Sequence, residues 1–411
     1  MKYVIMFFTF IILVSITTTA NTSDNVDGIY IPMIIINSQM KIYIVFQNAE
    51  HTYEPYTFSF NLNFERNFTL ISHRFYPSMK SPLCVEHGDD TFIDNNTQQN
   101  ISIRLLSDNI RLNNSYVNNY YYYMVNKEDY IDRINSCLSL ASSFTNNNYN
   151  IIHLLKSNGS INQAKFYIEQ RYANGTGVLY IGATPLHVLS LYPYNYNIHI
   201  NTHLNRWNLH LRKVALYTHS HKYITQFHID TNAYITSNTR NIKLPYTIAN
   251  TLINDIYIDY INNGICERGP FSNHDSILRC KCASIHALPT FVFEFTINTN
   301  NETFPYYFTA KDIFTVFTAN EWCYLMIETN TNANANAYNE IDIQLGLVFY
   351  YNHLIEFNYE TSSITLHSKT QIHLISPYHH IQTQIMLYII VLMCINIIII
   401  SLTYIINQYK L

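Results

Sequence analysis

Glycine is scarce in this chain, 9 in 411 residues where an average protein carries about 7%, so close-packed loops that depend on residues without a side chain can be few. Charge is scarce as well. Charged residues make up 13%, with Lys+Arg 24 against Asp+Glu 28, and no basic stripe or block of like charge occurs; this argues against a nucleic-acid partner. No Gly-x-Ser-x-Gly is present, which removes the nucleophile elbow of serine hydrolases. The 18 His include no metalloprotease pair with an intervening Glu, and His219-Ser-His221, His228 and His379-His380 read as surface or structural residues. Cys280-Lys-Cys282 lacks a matching second pair. Neither a metal site nor a cofactor is expected.

What the chain does contain is bulk suited to strands: hydrophobic residues at 48%, Tyr 36 and Phe 23, with abundant Ile. Its two ends are distinctive. Residues 1–20 open with Lys2, continue through Phe7-Phe8-Thr9-Phe10-Ile11-Ile12-Leu13-Val14 and close on Thr17-Thr18-Thr19-Ala20, a secretory signal pattern. Residues 385–406 are free of charge and long enough to cross ~30 Å of hydrocarbon as one transmembrane helix. The expectation is a single-pass protein with its body lumenal or extracellular, on the secretory pathway or cell surface. In that compartment Cys84, Cys137, Cys266, Cys280, Cys282 and Cys323 read as disulfide formers, leaving Cys394 in the span. Asn67, Asn158, Asn174 and Asn301 head sequons that could carry glycans in a glycoprotein.

Between the ends, short apolar runs broken by Asn, Ser, Thr or Asp predict an all-β body. The runs are Ile29–Ile36, Lys41–Phe46, Thr57–Phe64, Ile101–Leu106, Val178–Ile181, Val214–Thr218, Tyr223–Ile229, Thr290–Ile297, Ile343–Phe349 and Leu354–Tyr359. Short helices are expected at Ile151–Leu155, Gln163–Gln170 and Pro245–Ile256. Ile42–Phe46 followed by Gln47-Asn48-Ala49 echoes Ile224–Ile229 followed by Asp230-Thr231-Asn232-Ala233. Each echo is followed, farther on, by an apolar turn: Asn135 to Leu140 in one half and Ile343 to Leu347 in the other.

At these residues the chain resembles the pepsin-like aspartic proteases. Tyr30–Phe46, Asn135–Leu140, Asn150–Ile161, Gly177–Gly182, Arg206-Trp207-Asn208-Leu209, Leu288–Phe293, Trp322-Cys323, Gln344–Phe349 and Ile355–Asn358 follow the family's order of segments. The resemblance implies a bilobed acid-protease fold, with one lobe over 28–190 and the other over 191–372. It also implies a Cys282–Cys323 disulfide, with Cys266–Cys280 as a looser second pair.

Peptide hydrolysis in that family needs two Asp, one per lobe, sharing a proton around one water. Each stands in an Asp-Thr-Gly loop supported by a Gly-Leu turn. On this reading Asp230 is the second-lobe acid, Thr231 and Asn232 complete its loop beside bound substrate, and Gln47 stands where the first Asp belongs. Gln47 can hydrogen-bond a water but cannot take its proton. Asn96 falls near the position of the flap Tyr, and Ser139-Leu140 replaces the first Gly-Leu turn. The expectation is a catalytically inactive aspartic protease homologue whose interlobe cleft holds a peptide or serves structure. The alternative is an active endopeptidase in which Asp230 works with a non-standard carboxylate such as Glu50.

Overall fold

The computed structural model describes residues 28–369 apart from 37–38, 47–55, 65–68, 72–84, 95–98, 113–114, 126–136, 143–149, 173–174, 200–205, 219–222, 238, 270–276, 298–301, 317–320, 330–342 and 352, together with Met393. The sequence-predicted leader, the rest of the apolar run 385–406, and Gln47, Glu50, Asn96 and Cys84 lie outside the described residues. Among the described residues no helix is long and apolar enough to cross a membrane.

The body is mostly strand. In the first half run β1 (Ile29–Ile36), β2 (Gln39–Phe46), β3 (Tyr56–Asn63), β4 (Leu70–Ile71), β5 (Val85–Asp94), β6 (Gln99–Leu112), β7 (Ser115–Val125), β8 (Cys137–Ser139), β9 (Lys165–Tyr172) and β10 (Thr176–Ile181). There follow β11 (Tyr194–His199), β12 (Asn208–Tyr217), β13 (Tyr223–Ile235), β14 (Ile242–Leu244), β15 (Cys266–Arg268), β16 (Leu278–Lys281), β17 (Thr290–Thr296) and β18 (Thr303–Phe308). The last are β19 (Phe314–Thr315), β20 (Trp322–Leu325), β21 (Ile327–Thr329), β22 (Ile343–Leu345), β23 (His353–Asn358) and β24 (Ser363–Ser368).

These strands form three sheets. The largest runs β11-β24-β23-β9-β10-β1-β2-β3-β8-β4-β7-β6-β5, the second β18-β17-β12-β13-β22-β14-β21, and the smallest β15-β16-β20-β19. The large sheet does not respect a division of the chain at residue 190, because β11, β23 and β24 extend it. Phe166 and Ile168 on β9 face Phe357 and Ile355 on β23 in register, so the end of the chain closes the core begun by its first half.

The expected strand Ile29–Ile36 is found with both bounds. The expected helix at Gln163–Gln170 is corrected: that stretch belongs to strand β9. Its Phe166, Tyr167, Ile168, Glu169 and Gln170 are all buried, because Phe166 and Ile168 pack into the main core while Tyr167, on the opposite face, packs with Tyr180, Val188 and Leu354. A helix does form at Ile151–Ser157, where the Asn150 side chain accepts from the Ile152 and His153 amides. The Pro245 segment is helical too, as Tyr246–Thr251 continued by a π-turn Leu252–Ile256. Both disulfides suggested by the resemblance are present, Cys266–Cys280 and Cys282–Cys323, on and beside the small sheet.

Aromatic stacking joins the halves. Trp207 is fully buried and packs edge-on against Phe166 and Phe357, which stack with centroids 4.6 Å apart. The Trp207 indole N–H donates to the Leu140 carbonyl at 2.7 Å, and the Trp207 carbonyl accepts from the Ile235 amide at 2.9 Å. One residue thus ties the end of β13 to the turn after β8.

Candidate functional site

Among the described residues four strand pairs are parallel in an otherwise antiparallel body, and two of them occupy related places. The end of β3 runs parallel to β8, Leu62 opposite Leu138 and Asn63 opposite Ser139. The end of β13 runs parallel to β22, Ile235 opposite Leu345. In both cases a buried aliphatic strand end meets a second buried aliphatic strand leading into a turn. Leu62 corresponds to Ile235, Asn63 to Thr236, and Ser139 to Gly346.

The two strand ends touch. The Ser237 hydroxyl, buried, donates to the Leu62 carbonyl, linking the residue after Thr236 to the residue before Asn63. Backbone bonds complete the frame: Leu140 N–H to the Asn63 carbonyl at 2.7 Å, and Thr236 N–H to the Leu345 carbonyl at 3.0 Å. Ser139 is held further by its amide, which donates to Thr69 Oγ1 at 3.1 Å, and Thr69 is itself hydrogen-bonded to Tyr120. Burial of Tyr120 pushes its phenol well above the usual tyrosine range, so it stays neutral.

Gly346 shows why its turn needs a glycine. A Cβ there would overlap the carbonyl oxygens of Asn241 and Thr239, and the backbone is packed this closely because Leu347 N–H donates to the Thr239 carbonyl at 2.9 Å. The corresponding Ser139 is fully buried with its Cβ accommodated. The scarcity of glycine is therefore selective.

Asn63 and Thr236 are both buried, at 7% and 1% exposure. Neither is an acid. The buried carboxylates among the described residues are Glu169 and Glu294, and both are engaged elsewhere. Glu169 accepts from the Tyr180 and Tyr192 hydroxyls at 3.0 and 3.2 Å, and Glu294 lies 2.7 Å from the Lys213 ammonium. No group of three or more His, Cys, Asp or Glu able to hold a metal occurs among the described residues.

Asp230 is not at this crossing. It lies within β13, its side chain 78% exposed, with His210 Nε2 3.5 Å away. Its φ of 50° is left-handed, and the cause is a bulge: Leu211 pairs with Thr231 and Lys213 with His228, so Ile229 and Asp230 share the place opposite Arg212. Asp is among the residues that tolerate that conformation. Asn232 pairs with His210 as ordinary strand without a positive φ, and Thr231 pairs with Leu211. Gln47 and Asn96 are outside the described residues. The turn that the resemblance assigned to support Gln47, Ser139-Leu140, meets Asn63 instead.

Sequence reading missed Asn63, Thr236 and Ser237 because none carries chemistry of its own. The available signal was the order of elements: buried run, two small polar residues, then Pro245 opening a helix.

The whole body is similar to the crystal structure of Basic 7S globulin from soybean, with a TM-score of 0.62 and 11% identity, covering 84% of this chain and 95% of that one. Conglutin gamma, a unique basic 7S globulin from lupine seeds, matches with a TM-score of 0.62 and 11% identity over 83% and 95%. At such identity the likeness is one of fold. No family model matches the sequence, and none of the curated proteins matches it.

Proposed function

We propose that this chain is a non-hydrolytic relative of the pepsin-like aspartic proteases, a bilobed body that binds a peptide or serves structure, anchored through residues 385–406 after entering the secretory pathway. The observation that carries the reading is the identity of the residues at the two crossings. In the family each catalytic Asp stands in the loop that a Gly-Leu turn supports; here the turns Ser139-Leu140 and Gly346-Leu347 support Asn63 and Thr236. An amide and a hydroxyl can hydrogen-bond a water, but neither can take its proton, and the shared-proton chemistry needs two carboxylates. The structural neighbours are globulins, which fits a body of this architecture that does not cut. Asn158, the one of the four sequon residues named above that lies within the described part, is exposed at the end of its helix, as a glycan would require.

The test is turnover. Full-length protein incubated with a mixed peptide library at mildly acid pH is expected to release no fragments, and Asp230→Ala to behave identically. Cleavage that disappears in Asp230→Ala would replace this reading with an endopeptidase built on Asp230 and another carboxylate.

A further inference from the structure

The described chain leaves its sheet beside an apolar surface. Leu186, 81% exposed, is the most exposed large apolar residue among the described residues, and Leu191, a turn farther along the chain, is 57% exposed. Both sit on the turns after Pro185, where Val188 and Tyr192 face inward against Tyr167, Tyr180 and Leu354. The fold thus spends two apolar side chains of this segment on the core and leaves two Leu outside. Exposed Pro193 comes next, then Tyr194 at 37%, paired directly with Ser368 on β24. Lys369, the last residue of the described body, places its ammonium 5.2 Å from the Tyr192 ring centroid.

We propose that Leu186, Leu191, Pro193 and Tyr194, with Lys369 at their edge, form a contact face for the surface of a phospholipid bilayer. The proposal rests on the reading of residues 385–406 as a membrane span. Residues 370–384 link Lys369 to that run and reach about 50 Å even when fully extended. The tether keeps the exit point of the chain within that distance of the membrane, and the patch segment adjoins the exit point through Tyr192 beside Lys369 and Tyr194 beside Ser368. Its chemistry suits an interface: Leu for the acyl boundary, Tyr for the headgroup level, and Lys with an apolar stem and a charge directed at phosphate.

The experiment uses full-length chain in phosphatidylcholine nanodiscs, with Leu191→Trp as reporter and Tyr246→Trp, at another exposed apolar position, as control. Brominated acyl chains are expected to cause loss of emission at 191 and none at 246; Leu186→Trp repeats the measurement should the first variant misfold. Chain that co-elutes with the discs but shows unchanged emission at 191 overturns the contact face while leaving the span intact. Shielding of 191 from aqueous acrylamide without quenching by brominated lipid assigns the patch to a second copy of the chain and also overturns it. Chain that never enters the discs removes the span and this inference together.

Discussion

At the scale of single residues, the two turns differ by what a side chain would strike. A Cβ at position 346 overlaps backbone carbonyls that cannot swing aside, so Gly346→Ala is expected to cost about 3 kcal/mol in urea unfolding. Ser237→Ala removes the hydroxyl from the buried Leu62 carbonyl and is expected to cost about 2 kcal/mol, read as a lower urea midpoint at unchanged slope. His353 supplies a pH dependence. It is buried against the Tyr306 ring at 4.5 Å, Nδ1 faces the Tyr351 carbonyl at 3.1 Å, and Nε2 finds no hydrogen-bond partner among the described residues. Burial holds its pKa below the ordinary 6.5, despite the opposing pull of the Tyr351 carbonyl and Asp312. A depressed His pKa favours the neutral form in the fold, so this contribution is present above about pH 6.5 and is lost as acid protonates the unfolded chain preferentially. His353→Phe is expected to flatten the thermal stability profile below that pH.

At the scale of elements, the small sheet depends on its crosslinks. The Cys282–Cys323 bond closes a separation of 41 residues and Cys266–Cys280 one of 14. Chain-entropy reasoning gives about 4 and about 3 kcal/mol for them. Paired Cys→Ser replacement at 282 and 323 is therefore expected to lower the melting temperature more than the same replacement at 266 and 280. Strand identity was legible where one run carried its own signal: Ile29–Ile36 is a strand because apolar residues fill it and polar ones bound it. β9 was not legible, since Phe166 to Gln170 are covered on both faces by partners from distant parts of the chain, and continuous burial erases the alternation that marks a strand. The crossings were half legible. Leu138-Ser139 and Leu345-Gly346 could be read as turns, but which loop each turn supports is a matter of pairing register. Asp230, an acid in the expected sequence context, drew attention to a solvent-facing bulge.

At the scale of the whole molecule, β23 and β24 bind the end of the chain to β9 and β11 in one continuous sheet. A half-buried cluster lies across that seam. Lys165 Nζ is 3.6 Å and His367 Nε2 3.3 Å from the Glu356 carboxylate. Burial alone would raise the Glu356 pKa, but the His367 hydrogen bond and the Lys165 charge hold it below the ordinary 4.5. Its contribution is present above about pH 4.5 and is lost below that, after His353 has begun to weaken the fold. The body is therefore expected to lose stability stepwise with acid, the reverse of what a protease working at low pH requires. The most direct test of the account is calorimetric titration with a statine-type peptide, whose hydroxyl binds where two carboxylates share a proton, at a mildly acid pH where circular dichroism shows the fold intact. With Asn63 and Thr236 at the crossings, no binding dependent on the statine hydroxyl is predicted. Tight binding that strengthens as pH falls and disappears when the hydroxyl is removed would contradict it.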